Sequence, residues 1–177
     1  MGNPVLTMMT LEEAQQKQFQ LTSAIADQFT GNEFFQHGDV GVVPGLGRPR
    51  QTEKVERVLA NFFQTEDCAL VRGAGTGAIR STLSVLVEPG DSIVMHTSPI
   101  YQTTKETVRL MGLQPRFVDF NKLDLLREAL RKHDEYRVFY VQHSRQHPAD
   151  NYDLETVIEL VRSVRPDLPI VVDDNYT

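Results

Sequence analysis

The chain has 177 residues, of which 40% are hydrophobic and 24% charged, as is typical of one ordinary globular domain. Its formal net charge of -6 argues against a dedicated nucleic-acid binder, because such proteins usually present a basic face. The single cysteine, Cys68, excludes an internal disulfide, and no apolar run approaches the roughly 20 residues of a membrane span. We therefore expect a cytoplasmic protein without a secretory signal, a membrane partner or a nucleic-acid partner.

The first 50 residues are predicted to form a helix followed by a loop. Thr10 and Glu13 have the spacing of a capping box. An apolar stripe of helical spacing accompanies them, made of Leu11, Ala14, Phe19, Leu21, Ile25 and Phe29. The segment 31–50 is rich in glycine and proline and has no periodic pattern, which indicates a loop. Thr52 is predicted to cap a second helix, whose apolar side is Val55, Val58, Leu59, Phe62 and Phe63.

From Asp67 onward, short apolar runs alternate with segments of helical length. The runs predict strands at Cys68–Val71, Ile93–His96, Arg116–Phe120, Val138–Val141 and Ile170–Val172. The segments between them predict helices at about 77–87, 101–111, 123–132 and 153–164. Because such alternation requires crossover connections, the pattern predicts an α/β fold with three layers, α/β/α, around a mostly parallel sheet.

Polar, aromatic and acidic residues follow the predicted strands. In an open parallel sheet, ligands bind beyond the carboxyl ends of the strands, close to the helix N-termini. The segments at that edge are 72–78, 97–101, 142–148 and 173–176. Each segment taken alone is equally consistent with an ordinary polar turn, so the interpretation depends on their combination.

The glycine-rich segment Gly73–Ala78 is the sharpest single feature. A strand, a glycine turn and a helix would bring unpaired backbone N–H groups and a positive helix end to one point, which suits a phosphate. The segment also fits the dinucleotide fingerprint G-x-G-x-x-[GA], but that motif requires an acidic residue about 20 positions later, at the end of the next strand. Here that strand ends in Met95–Ser98 without one, so nicotinamide binding is the weaker alternative.

A second feature is the apolar run Ile170–Val172, which leads directly into Asp173 and Asp174. A carboxylate delivered to the ligand edge of a sheet suits a cationic ring nitrogen, since a charge-assisted hydrogen bond contributes about 1.5–3 kcal/mol. An acidic turn that caps a following helix is the structural alternative.

These parts together, in this order, resemble the fold-type-I pyridoxal-phosphate enzymes of the aspartate aminotransferase superfamily. The similarity is to the cystathionine-γ-synthase/methionine-γ-lyase branch and its aminotransferase-like relatives, and it covers residues 38–177. It implies an arm over residues 1–50 and the front of a cofactor-binding large domain over 51–177. It further implies the cofactor pyridoxal 5'-phosphate, an amino acid substrate, aminotransferase or carbon–sulfur lyase chemistry, and a homodimer.

The same resemblance implies roles for individual residues. The cofactor phosphate would be held by the turn formed by Gly75, Thr76 and Gly77. Tyr101, which follows the second predicted strand, would stack on the pyridine ring. Asp173 would pair with the protonated ring nitrogen, and the spacing of Asp173 and Tyr176 favours it over Asp174. Tyr176 would lie near the phenolic oxygen of the cofactor.

The chain departs from the family pattern at two loops. His147-Pro148 stands where many relatives have Asn-Pro, with the asparagine at the phenolic oxygen, so His147 is a candidate without an assigned role. The loop that sends a Tyr-x-Arg to a neighbouring subunit has no tyrosine here. Arg48 and Arg50 remain candidates for a phosphate contact, with solvated loop charges as the alternative.

The lysine on which the family forms its Schiff base has no counterpart in this chain. The lysines present all fall on predicted helices or their ends: Lys17, Lys54, Lys105, Lys122 and Lys132. We therefore expect a fragment truncated before that lysine and inactive alone, and we assign neither a catalytic residue nor a metal. The alternative functions are a nicotinamide-dinucleotide-binding Rossmann domain and a non-catalytic α/β interaction domain.

Overall fold

The computed structural model describes residues 9–33, 44–143 and 147–174. Within these ranges the elements, in chain order, are α1 (Leu11–Gln28), α2 (Arg50–Phe63), α3 (Ala74–Leu86), β1 (Ser92–His96), α4 (Gln102–Leu110), β2 (Gln114–Val118), α5 (Leu123–Lys132), β3 (Tyr136–Gln142), α6 (Leu154–Val164) and β4 (Ile170–Asp173). The described residues up to Leu70 belong to one compact unit, and those from Val71 belong to another. Among the described helices, none is both long enough and apolar enough to cross a membrane.

Helix α1 of the first unit begins with the predicted capping box. The Glu13 amide donates to Thr10 Oγ1 at 3.2 Å, and the Thr10 amide donates to Glu13 Oε2 at 2.8 Å. The predicted apolar stripe is only partly buried, since the side chains of Leu11 and Phe19 are 76% and 74% exposed. A small cluster built on Ala24, Phe29 and Val58 joins α1 to α2.

Helix α2 starts earlier than the sequence predicted, and Thr52 is not its cap. Pro49 occupies the N-cap position with φ -64° and ψ 146°, and Thr52 lies inside the first turn. Because the proline ring fixes φ and the helix needs no amide hydrogen at its first positions, the chain can enter the helix directly after Pro49.

The second unit contains a four-stranded sheet with the strand order β2-β1-β3-β4, and all three strand pairs are parallel. The inner strand β1 pairs Val94 with Arg116 of β2 on one side and with Phe139 of β3 on the other. This arrangement confirms the predicted α/β class with a parallel sheet.

Both faces of the sheet are covered by helices. One face, with Val94, Phe139 and Val141, packs against Leu126 of α5 and Val157 of α6. The opposite face has Ile93, Met95, Val138, Tyr140 and Val171, and packs against Leu83 of α3 and Val108 of α4. Alternate residues of a strand point to opposite faces, so strands covered on both sides appear in the sequence as continuous apolar runs.

Two predicted strands differ from the structure. The segment Cys68–Val71 is not a strand, and Leu70 and Val71 are 51% and 42% exposed, because an apolar run forms a strand only where a neighbouring strand can pair with it. Strand β2 ends at Val118 rather than Phe120. The Phe120 amide instead donates to Nδ1 of His96 at 2.9 Å, which takes that residue out of the strand ladder.

Candidate functional site

An open groove of about 530 Å³ lies between helix α3 and strand β4. Its lining includes Gly75 and Ile79 of α3 together with Val171, Asp173 and Asp174 of β4 and its end. We call it the α3–β4 groove. The structure thus brings together two residues that the sequence predicted for one site, Gly75 and Asp173, although they lie almost a hundred positions apart.

The glycine turn at the start of α3 has a tight backbone. Gly73 has φ +98°, and a side chain at Gly77 would place its Cβ 2.0 Å from the carbonyl oxygen of Arg72. The Gly77 amide donates to the Gly73 carbonyl at 2.9 Å, which is the first bond of the helix. No described side chain caps this end. The amides that precede Gly77 therefore lie ahead of the intrahelical bonds, at the positive end of the helix dipole, where an anion is favoured.

Thr76 carries the hydroxyl of this turn, and in the structure that hydroxyl donates to Thr103 Oγ1 of α4 at 3.1 Å. One turn further along α3, Arg80 Nε donates to Thr107 Oγ1 at 3.0 Å. These two bonds tie α3 to α4, so the glycine turn is held against the segment that carries Tyr101.

Tyr101 precedes α4 as its N-cap residue and is 43% exposed. Its amide donates to Gln142 Oε1 at 2.9 Å, and Gln142 is the last residue of β3. This bond joins the segments that follow two neighbouring strands. It leaves an aromatic side chain exposed at the carboxyl edge of the sheet, where a planar ring could stack.

Asp173 ends strand β4 opposite Gln142 of β3. Its Oδ2 accepts a hydrogen bond of 2.5 Å from the hydroxyl of Tyr140, a residue that is 1% exposed. Burial, reinforced by this bond, raises the pKa of Tyr140 far above its usual value, so the phenol keeps its proton. Asp174 is exposed, whereas Asp173 is only partly accessible.

The other two predicted site residues are His147 and Tyr176, and only His147 lies within the described residues. His147 is exposed, its amide donates to Asp150 Oδ2 at 2.8 Å, and its Nδ1 accepts from the Ala149 amide at 3.3 Å. Tyr176 lies outside the described residues. The role of either residue towards a ligand stays a prediction.

Sequence reasoning missed a buried polar network at the end of β1. His96, which is 7% exposed, has Nε2 2.9 Å from Asp150 Oδ1, and Ser98 Oγ donates to the same oxygen at 2.7 Å. Because the Phe120 amide donates to Nδ1, the imidazole proton is assigned to Nε2, which then donates to Asp150. The only signal in the sequence was a histidine at the end of an apolar strand.

This network keeps Asp150 ionised. Burial by itself would raise the pKa of Asp150, but hydrogen bonds from Ser98, His96 and the His147 amide outweigh it and lower that pKa below its usual range. The carboxylate therefore links the loop that carries His147 to the end of β1.

The two loop arginines of the first unit differ in their surroundings. Arg48 Nη1 lies 2.6 Å from Glu56 Oε2, a carboxylate whose side chain is 3% exposed. The other oxygen of Glu56 accepts from the Leu70 amide at 2.8 Å. Arg50 is the first residue of α2 and is exposed. Arg48 thus forms an ion pair within its own unit, while the side chain of Arg50 is exposed to solvent.

Comparison with known proteins identifies the family of this chain. The family model of Cys/Met metabolism PLP-dependent enzymes matches residues 45–177. The chain belongs to this family. The predicted family and its cofactor, pyridoxal 5'-phosphate, are confirmed.

Several known proteins are similar to this chain. The chain is 44% identical over 171 residues to the uncharacterized protein YhfS of Escherichia coli, covering 97% of this chain and 46% of that protein. The crystal structure of YhfS, described as pyridoxal-5'-phosphate dependent, matches with a TM-score of 0.90. An L-methionine gamma-lyase of Fusobacterium nucleatum subsp. polymorphum is 27% identical over 135 residues, covering 74% of this chain and 33% of that protein.

A more distant structure shows the fold alone. A carbon-sulfur lyase involved in aluminum resistance from Clostridium novyi NT matches with a TM-score of 0.72 at 19% identity, covering 89% of this chain and 41% of that one. This chain spans less than half the length of the curated relatives it matches.

Proposed function

We propose that the full-length protein containing this chain is a pyridoxal-phosphate-dependent carbon–sulfur lyase that acts on an amino acid. One observation carries the proposal: the α3–β4 groove is lined both by Gly75 of the glycine turn and by Asp173. A cofactor with a phosphate at one end and a cationic ring nitrogen requires such a pair of groups within one site. The residues present therefore fit the cofactor of the family.

The glycine turn would bind the phosphate. The amides of Gly75 and Thr76 lie ahead of the first α3 hydrogen bond, and no described side chain competes for them. Thr76 could add its hydroxyl by turning from Thr103, which lies 3.1 Å away. Glycine is required at position 77 for the tight conformation of the turn, since a Cβ there would collide with the Arg72 carbonyl oxygen.

Asp173 would hold the ring nitrogen, and Tyr101 would cover one ring face. When bound, pyridoxal 5'-phosphate supplies an electron sink for the bond-breaking step on the amino acid. The task of Asp173 is to keep positive charge on the ring nitrogen through a charge-assisted hydrogen bond. Tyr101 would restrict the tilt of the ring, and its backbone is fixed by the bond to Gln142.

The lyase reaction is favoured over amino-group transfer by the relatives. The L-methionine gamma-lyase match and the Cys/Met metabolism family both point to sulfur-containing amino acids as the substrate class. We further infer a cytoplasmic homodimer. In its subunit, residues 51–177 would belong to the cofactor domain, residues 1–50 would form an arm, and His147 and Tyr176 would lie near the phenolic oxygen. The resemblance to fold-type-I enzymes supports these assignments.

The test is a product analysis of the purified full-length protein with a panel of sulfur-containing amino acids. A lyase releases a thiol, ammonia and a 2-oxo acid in equal amounts. A 2-oxo acid without ammonia or thiol would replace the lyase proposal by amino-group transfer. Failure to retain pyridoxal 5'-phosphate would overturn the proposal as a whole and favour a non-catalytic domain.

A further inference from the structure

Tyr140 is a buried phenol directly behind the predicted cofactor acid, and the function proposed above gives it no role. It lies on β3, paired with Val171 of β4, so it is diagonal to Asp173 two residues further along. It shares the sheet face of Met95 and Val138 that α3 and α4 cover. Its hydroxyl is the buried polar end of this otherwise apolar face.

We propose that Tyr140 is a positioning residue that fixes the carboxylate of Asp173 in the orientation the ring nitrogen requires. This inference rests on the proposed function. The hydroxyl of Tyr140 donates to Oδ2 of Asp173 at 2.5 Å, and Tyr140 is 1% exposed. A donor that is fixed by packing restricts rotation of the carboxylate, which an exposed strand end would otherwise permit.

A second hydroxyl supports the first. Thr104 of α4 is 4% exposed, and its Oγ1 lies 3.4 Å from the hydroxyl oxygen of Tyr140. Because Tyr140 gives its only proton to Asp173, Thr104 is the donor in this contact. Thr104 thus donates to Tyr140, and Tyr140 donates to Asp173. Thr104 lies on α4, the helix that Tyr101 precedes as the N-cap residue.

These hydrogen bonds give the two carboxylate oxygens of Asp173 different roles. Oδ2 is committed to Tyr140, while the hydrogen bonds of the described residues leave Oδ1 for a ligand in the α3–β4 groove. A carboxylate held at one oxygen loses less conformational freedom when the other oxygen binds, which favours retention of the ring. Loss of the phenolic hydroxyl of Tyr140 should therefore change the hydrogen bond between Asp173 and the ring nitrogen.

The experiment uses the full-length protein loaded with pyridoxal 5'-phosphate labelled with ¹⁵N in the ring. Tyr140→Phe keeps the aromatic ring and removes only the hydroxyl. We expect a shifted ¹⁵N resonance and about tenfold weaker cofactor retention, as for loss of a hydrogen bond to a charged group. Tyr136→Phe is the matched control, since Tyr136 is also buried but lies at the opposite end of β3.

A double variant separates positioning from a general effect on packing. In an Asp173→Asn background, Tyr140→Phe should cause no further shift of the ¹⁵N resonance. If Tyr140→Phe shifts the resonance no more than Tyr136→Phe does, the inference is overturned although the proposed function stands. If Tyr140→Phe does not fold, Thr104→Val gives the second variant, and an unchanged resonance there overturns the inference. A wild-type protein that binds no cofactor overturns the proposed function itself.

Discussion

The imidazole of His96 lies 2.9 Å from the carboxylate of Asp150, although 54 positions separate the two residues. Their side chains are 8% and 4% exposed. The pair ties the end of the inner strand β1 to the loop before α6, at the carboxyl edge of the sheet where the candidate site residues lie. This loop is therefore anchored by a buried charge rather than by apolar packing alone.

The first prediction concerns the acid stability of this network. The pKa of Asp150 is lowered in the folded state, so its ionisation stabilises the protein above the unfolded value of about 3.9. That contribution is lost as the pH falls through the lower, folded-state pKa. Asp150→Asn should thus reduce the free energy of unfolding by about 2 kcal/mol at neutral pH, with a smaller difference near pH 3. Urea unfolding at several pH values measures this.

The matched control for Asp150 is Asp124→Asn on α5. Asp124 is exposed, so its replacement should change the free energy of unfolding by less than about 0.5 kcal/mol at any pH. An Asp150→Asn variant whose deficit is independent of pH would contradict the role assigned to the carboxylate charge.

A second prediction compares the two aspartates at the end of β4. Asp173→Asn should lower the turnover of the full-length enzyme by orders of magnitude, because the ring nitrogen would lose its anionic partner. Asp174→Asn should cost little, since Asp174 lies beyond the last residue of β4 and the hydrogen bond from Tyr140 goes to Asp173. Steady-state kinetics of both variants provide the comparison. A larger loss of turnover in Asp174→Asn than in Asp173→Asn would show that Asp174, not Asp173, is the partner of the ring nitrogen.

A third prediction concerns the glycine turn. Gly77→Ala would force a Cβ to within 2.0 Å of the Arg72 carbonyl oxygen, so the backbone of the turn must shift. We expect about 1–3 kcal/mol of destabilisation and a loss of cofactor affinity. Ser81→Ala, on the exposed side of the same helix, should change neither quantity. Equal cofactor affinities for Gly77→Ala and wild type, measured by fluorescence titration, would rule out this turn as the phosphate site.

A fourth prediction separates the two loop arginines. Arg50→Ala should weaken cofactor retention in the full-length dimer if Arg50 reaches a phosphate, and it should leave stability unchanged because the side chain is exposed. Arg48→Ala should instead lower the free energy of unfolding by about 1–3 kcal/mol, since the buried carboxylate of Glu56 loses its partner. Thermal melts and cofactor titrations of both variants test this. Unchanged retention in Arg50→Ala would leave Arg50 as a solvated charge.

The features that could be predicted from the sequence are those encoded locally. The capping box of Thr10 and Glu13, the helix at 123–132 and the strand at Ile170 each depend on residues within a few positions of one another. The alternation of these elements was sufficient to predict the parallel sheet, because crossover connections leave few other arrangements.

The features that could not be predicted depend on strand pairing. The segment Cys68–Val71 has the composition of a strand, but composition does not reveal whether a neighbour is present to pair with it. The contacts of His96 with Asp150 and of Tyr140 with Asp173 require the order and register of the strands, which periodicity leaves open. The family resemblance named Asp173 but gave no indication of the residue behind it.

The most direct test of the central claim is to trap the cofactor on the full-length protein. Reduction with borohydride, followed by proteolysis and mass spectrometry, should give one lysine peptide that carries the mass of reduced pyridoxal 5'-phosphate. We predict that this peptide is recovered from wild type and in much lower yield from Gly77→Ala. A wild-type protein that shows no visible cofactor absorbance and yields no modified lysine peptide would contradict the account.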